Sequence, residues 1–235
     1  MLMEMQVAIL AGGLATRLGE LTKSQPKSMI LIKGKPFLKY QLEALKKSGI
    51  TNVLLCTGHL GQQIEDYFGD GSRFGMNINY SQEDKLLGTA GALKQAGPKL
   101  LDVFFTLYGD SYLCVDFKLA LSHFKSKGKL AMMSVYKNHD MYDKSNTAVK
   151  DGMVKRYSKR EKTRDMVYIE YGANIFDKDV LGMIPQDKRY GLEDLFPRLI
   201  EKGELAAFEV KERFYEVGSH QGIKDFTEFI QGKSH

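Results

Sequence analysis

Cysteine, histidine and long apolar runs are all scarce in this chain, and each scarcity removes a class of function. Only Cys56 and Cys114 occur, far apart and each beside apolar residues that read as strands. They form neither a disulfide framework nor a metal-ligand spacing, and they fit thiols buried in a reducing cytoplasm. The five histidines make no H-E-x-x-H or comparable cluster, so a zinc centre is not expected. The longest apolar stretches, such as Leu100-Leu101 with Val103-Phe104-Phe105, fall far short of the ~20 residues of a membrane helix. Met1-Leu2-Met3-Glu4-Met5 lacks a basic segment and a small-residue cleavage site, so no signal peptide is expected. A net charge of +5 suits anionic small molecules but gives no concentrated basic stripe, and the twelve tyrosines are not interleaved with arginines. Neither nucleic acid nor a membrane is an expected partner.

Two familiar phosphate loops are also missing. No G-x-x-x-x-G-K-[ST] run exists, because Gly232-Lys233-Ser234 has no upstream glycine and no helix after it. No G-x-G-x-x-G follows the first strand, because Gly12 and Gly13 are adjacent and Ala15 stands where another glycine would be needed. A Walker-type NTPase and a dinucleotide dehydrogenase are thereby set aside.

What remains is 235 residues, 43% hydrophobic, with no low-complexity linker and no internal repeat: one large α/β domain or two small ones. The periodicity predicts strand Gln6–Leu10, a loop to about Gly34, and a helix from Pro36 that ends before Gly49. Strand Asn52–Thr57, helix Gly61–Phe68, strand 77–81, helix 89–95 and strand 103–107 follow. This β-α-β order implies a mostly parallel sheet whose ligands sit beyond the carboxyl ends of the strands. After a helix at 118–127 and a strand at 130–136, Asp151-Gly152 between apolar runs signals a hairpin. Strands at 171–176 and 206–210 and helices Leu192–Glu201 and 220–231 complete the reading, with a lobe boundary near Asp116.

The chemistry begins where Val7-Ala8-Ile9-Leu10-Ala11 breaks into Gly12-Gly13, followed by Arg17 and by Pro26-Lys27. Two glycines let backbone N–H groups approach a phosphate or a base, while Arg17 and Lys27 supply countercharge as a planar fork and a point charge. A Gly-Gly turn alone would be an ordinary connection. At the end of strand 103–107, Tyr108-Gly109-Asp110-Ser111 puts a carboxylate at a strand tip, suited to Mg²⁺ with water and phosphate oxygens, or else to a turn or helix cap. Gly88-Thr89-Ala90-Gly91 is a turn that a flat base could approach, or a mere strand-to-helix connection.

Taken in this order, these motifs resemble the sugar-1-phosphate nucleotidyltransferases, also called nucleotide-sugar pyrophosphorylases. Leu10-Ala11-Gly12-Gly13 through Arg17 looks like the family signature, Pro26-Lys27 its Pro-Lys element, Gly88-Thr89-Ala90-Gly91 its base-side turn, and Gly109-Asp110 its metal Gly-Asp. The run from Gly61 to Gly71 and the compact length resemble short bacterial members that activate heptose, mannose or N-acetylmuramate. The resemblance implies an α/β, Rossmann-like mixed sheet flanked by helices, mostly parallel, with a smaller antiparallel sugar-binding lobe. It treats 1–235 as one nucleotidyltransferase domain, 1–116 being the nucleotide lobe and 117–235 the sugar-phosphate lobe.

It further implies that Leu10, Ala11, Gly12, Gly13, Gln82, Gly88 and Thr89 bind the nucleotide, with base choice set near Gln82, Glu83 and Gly88. Arg17 would hold the β- and γ-phosphates and Lys27 the α-phosphate, while Asp110 and Glu216 would bind Mg²⁺. Glu216 replaces the aspartate of the closing Asp-x-Gly element, so its reach differs by a methylene. Lys159 falls where relatives contact the sugar phosphate, Glu170, Tyr171-Gly172 and Asn174 where they bind sugar hydroxyls, and Asn146 in the polar loop is a further candidate on the sugar-phosphate side. Ser158 and Arg160 replace the glutamate and proline that flank that lysine in relatives, and Lys159 also reads as one charge in the solvated run 155–164. The implied reaction joins a nucleoside triphosphate, with GTP favoured, to a sugar 1-phosphate in the cytoplasm, for cell-envelope polysaccharide. A uridylyl- or thymidylyltransferase, a nucleotide-sugar sensor without catalysis, and a molybdenum-cofactor nucleotidyltransferase are the other readings, the last disfavoured by the long second lobe. Tyrosine-rich segments would allow a homodimer.

Overall fold

The structure, a computed structural model, describes residues 4–13, 24–186 and 188–232. In chain order the elements are β1 (Gln6–Leu10), β2 (Leu31–Ile32), β3 (Lys35–Pro36), α1 (Phe37–Lys47), β4 (Asn52–Thr57), α2 (Gly61–Phe68), β5 (Asn77–Gln82) and α3 (Gly88–Ala96). Next come β6 (Val103–Tyr108), β7 (Ser111–Tyr112), α4 (Phe117–Lys127), β8 (Ala131–Lys137), β9 (Thr147–Lys150), β10 (Met153–Tyr157) and β11 (Tyr168–Asp177). The last are α5 (Leu192–Glu201), β12 (Leu205–Val210), β13 (Tyr215–Glu216) and α6 (His220–Ile230). Every expected strand and helix is present, most with ends moved by a residue or two.

The described residues group into two compact units. One falls within Met1–Leu86, Leu107–Leu113 and Phe214–His235, the other within Leu87–Thr106 and Cys114–Arg213. A single cut near Asp116 therefore does not follow the packing. The final segment returns to the first unit because β13 pairs with β7 and because Phe226 of α6 packs edge-on against Phe37 of α1, ring centroids 5.0 Å apart. Residues 87–106 join the second because the N–H groups of Ala90 and Gly91 donate to Tyr190 O, just before α5.

In the first unit β5, β4 and β1 lie side by side and parallel, with Val7 opposite Val53 and Val53 opposite Ile78. Val7, Ala8, Ile9, Val53, Leu54 and Leu55 are fully buried, as strands covered on both faces must be, which is why they read as continuous apolar runs rather than alternating ones. The apolar stripe of α1, Phe37, Leu38, Leu42 and Leu45, is buried too, each such side chain contributing about 1.5–3 kcal/mol. Pro36 precedes the helix and Gly49, at φ 79°, follows it. The stretch read as a loop to Gly34 contains a hairpin: β2 and β3 pair around Lys33-Gly34, both at positive φ. Strands of two residues carry no period, so only the Lys-Gly turn could have signalled them.

In the second unit the strand order is β6-β11-β8-β12-β10-β9. β8 and β12 are parallel, while β11 runs antiparallel to β8, and β10 antiparallel to both β12 and β9. Asp151 and Gly152 turn the expected hairpin with φ of 54° and 70°. Phe196 of α5 stacks on Phe176 and meets Tyr157 edge-on, closing that core. Among the described residues no helix is long and apolar enough to cross a membrane.

Candidate active site

The first unit gathers the phosphate and metal candidates at the carboxyl end of β1. Leaving Leu10, the Ala11 N–H donates to Cys56 O at 2.8 Å, so the chain still follows β4 as it enters Gly12-Gly13. The Gly109 N–H donates to Leu10 O at 2.9 Å, bringing the Tyr108–Ser111 segment to the same strand end. A Cβ on Gly109 would come within 3.0 Å of Ala11 Cα and Leu10 O, so only glycine permits this approach.

Asp110 caps no helix; Asp116 does that for α4. Its Oδ2 instead accepts from Lys27 Nζ at 2.5 Å, and its Oδ1 from Ser111 Oγ at 3.2 Å. Glu216 reaches the same place by backbone pairing, since it lies opposite Ser111 in the β13–β7 ladder and the Val217 N–H donates to Asp110 O at 2.9 Å. Gly218 leaves room for the lysine: a Cβ there would lie 2.9 Å from Lys27 Nζ and 3.5 Å from Glu216 Oε1. Lys27, Asp110 and Glu216 are thus neighbours although sequence separates them widely. Arg17 lies outside the described residues.

Beside this turn is a cleft of 420 Å³ lined by Gly58, His59, Leu60, Gln82, Glu83 and residues 84–86. Glu83 Oε1 sits 3.0 Å from where a Gly12 Cβ would be and 3.1 Å from that of Gly58, so the glycines make room for a carboxylate as well as for ligand. Its charge adds to the burial that pushes the Cys56 thiol up to about 12. Leu60, at φ 61°, holds the left-handed backbone that opens α2 on the cleft wall. Cys114 is only partly buried, unlike Cys56.

The second unit holds the remaining candidates in two groups. Gly88, at φ 78°, faces backbone: a Cβ would lie 2.7 Å from Tyr190 O. Leu87 rather than Thr89 precedes α3, and the Thr89 hydroxyl accepts the Leu192 N–H at 2.7 Å, tying this turn to α5. The other group is polar. Glu170 accepts from the Tyr157 hydroxyl at 3.0 Å and from Asn174 Nδ2 at 3.2 Å, while Asn146 Oδ1 accepts the Glu170 N–H at 2.9 Å. Burial, then the Glu170 charge, push the Tyr157 phenol up, so it stays a donor. Gly172, at φ 95°, lies where the β11–β8 register shifts between Glu170 and Asn174. Asn174 Oδ1 is buried with no partner among the described residues. Lys159 is exposed, in a turn whose backbone N–H groups at Arg160 and Glu161 donate to Ser158 Oγ.

The family model described as nucleotidyl transferase matches residues 6–233. The chain belongs to the nucleotidyl transferase family. It is 31% identical, over 91% of its length and 95% of the relative's, to the D-glycero-alpha-D-manno-heptose 1-phosphate guanylyltransferase of Campylobacter jejuni. It is 30% identical to the UTP--glucose-1-phosphate uridylyltransferase of Synechocystis, with 97% of the chain aligned but only 63% of that protein's length spanned. The crystal structure of HddC from Yersinia pseudotuberculosis complexed with GMP-PN superposes with a TM-score of 0.83 at 28% identity, covering 96% of this chain and 99% of that one.

Nucleotidyl transferases of this family generally use a divalent metal. Among the described residues no group of three or more His, Cys, Asp and Glu side chains gathers. The donor set of Asp110 and Glu216 fits Mg²⁺ nonetheless, because that ion takes one or two carboxylates and completes its shell with water and phosphate oxygens. Asp110 Oδ2 already faces one cation, the Lys27 ammonium. The sequence of this nucleotidyl transferase gives no role to Tyr157, to Gln41 or to the hydroxyl of Ser111. Gln41 alone left a legible signal, as an amide within the apolar stripe of α1.

Proposed function

We propose that this chain transfers a nucleoside monophosphate from GTP to a heptose- or mannose-type sugar 1-phosphate, releasing pyrophosphate. The observation that supports the reading is the Lys27–Asp110 contact at the tip of β6, hydrogen-bonded through Gly109 to the strand that ends in Ala11-Gly12-Gly13. A sugar-phosphate oxygen attacks the α-phosphorus in line. That oxygen is already an oxyanion near neutral pH, so no general base is needed, and the barrier is that two anions must meet. Lys27 answers it with positive charge where negative charge gathers, the part the family resemblance also gives to Arg17 and Lys159. Mg²⁺ held by Asp110 and Glu216 would add charge of the same sign at the phosphate oxygens. The Asn146–Glu170–Asn174–Tyr157 group offers acceptors and donors suited to sugar hydroxyls. Pyrophosphate release measured with GTP, UTP, dTTP, CTP and ATP against a panel of sugar 1-phosphates tests the reading; release with none of them refutes it.

Glu83 supports guanine as the base. A carboxylate only accepts, and guanine presents two adjacent donors, N1–H and N2–H₂, whereas uracil and thymine present one donor between two acceptors. Glu83→Gln should therefore move the ratio of kcat/KM for GTP over UTP toward UTP by about tenfold or more, because a polar site punishes the unmatched edge. An unmoved ratio would release Glu83 from this role.

A further inference from the structure

We infer that Gln41 is a positioning residue for the two carboxylates, acting through the backbone that carries them; the inference rests on the proposed reading of Asp110 and Glu216 as cation ligands. Gln41 lies in the buried stripe of α1 between Leu38 and Leu42, 3% exposed. Its Nε2 donates one hydrogen to Tyr108 O at 2.8 Å and the other to Ser111 O at 2.7 Å. Those carbonyls bracket Gly109-Asp110, so one planar amide ties together both ends of the tetrad that presents Asp110. Ser111 is also the residue opposite Glu216, and Asp110 O takes the Val217 N–H. The turn that Gln41 holds is therefore the template on which the second carboxylate is laid.

The other end of the amide shows that packing is not the reason for it. Gln41 Oε1 is buried with no hydrogen-bond partner among the described residues. Leucine or methionine would fill the same space without a stranded Oε1, but would take the donors from the Tyr108 and Ser111 carbonyls. The gain of an amide here is confined to its two donors, and both go to the Asp110 turn.

Gln41→Met keeps the volume and removes the donors; Gln41→Glu keeps the shape and is an acceptor only. Mn²⁺ is titrated by its paramagnetic resonance signal against each protein with GTP present and sugar 1-phosphate absent. Both variants should need roughly tenfold more Mn²⁺ for half-saturation, the lower end of what losing a supporting hydrogen bond around a metal site costs. Hydrogen exchange should quicken at the amides of residues 109–112 and 217 while the rest of α1 keeps its protection. An unchanged Mn²⁺ curve for Gln41→Met overturns the inference, since a packing role alone leaves that curve where it was. Absence of turnover in the wild type would overturn the proposed reaction only, because this titration needs none; a wild type that binds no Mn²⁺ overturns both.

Discussion

Lys27→Ala is expected to slow turnover by roughly 10²–10³, the scale of one lost preorganised electrostatic donor, while the protein stays folded. The fold should lose little because the ion pair with Asp110 is partly solvated, with side-chain exposures of 20% and 31%, which places it nearer an exposed pair, worth about 0–1 kcal/mol, than a buried one. The backbone of Lys27 is held independently of its side chain, by a short 3-10 turn over Lys27–Met29 whose Ile30 N–H donates to Lys27 O. The lost rate must then come from the charge at Nζ. If that charge acts where negative charge builds up during attack, kcat and kcat/KM fall together. A rise in KM with kcat kept would instead mark a residue that merely holds nucleotide. Lys27→Arg should restore little, because a planar guanidinium fork cannot take the place of a compact ammonium point charge. A rate for Lys27→Ala equal to that of the wild type removes this residue from the reaction.

How much of this site the sequence discloses depends on how each residue is delivered to it. Asp110 and the Gly12-Gly13 turn were legible because each ends an apolar run, and long buried parallel strands are the strongest signal in the chain. Lys27 was legible as countercharge after the glycine turn and as part of a Pro-Lys element, but nothing local marks the three-residue turn that aims it. Glu216 arrives through a pairing of two residues with two, too short to show alternation, which is why the pairing of Ser111 with it and the return of the final segment to the first unit leave no mark in the sequence. Glu83 was legible only as a residue near the expected base site, since its placement comes from the space beside Gly12 and Gly58. The sugar-side residues show a different limit. Asn146, Glu170 and Asn174 were picked one by one, and the hydrogen bonds that make them a group, with Tyr157 as donor, belong to pairing across β9, β10 and β11.

Asp110→Asn should abolish most metal-dependent activity, a loss of roughly 10²–10³ or more. The amide keeps the shape of the carboxylate and can still accept from Ser111 Oγ, but it carries no charge for a cation and turns one donor end toward it. Stability should change little, for the reason given for Lys27. The informative comparison is the double variant. If Lys27 serves only to hold Asp110 in place, removing the lysine from Asp110→Asn costs nothing further. If Lys27 acts on the phosphate and Asp110 on the metal, the two losses compound, with departure from simple addition expected because the side chains touch. Glu216→Gln should cost less than Asp110→Asn, since Glu216 is joined to the turn by its backbone and would reach a cation along a longer, more adaptable side chain. A Mg²⁺ titration of Asp110→Asn that superposes on that of the wild type would take Asp110 out of the centre, and with it the template role of the Gln41-held turn.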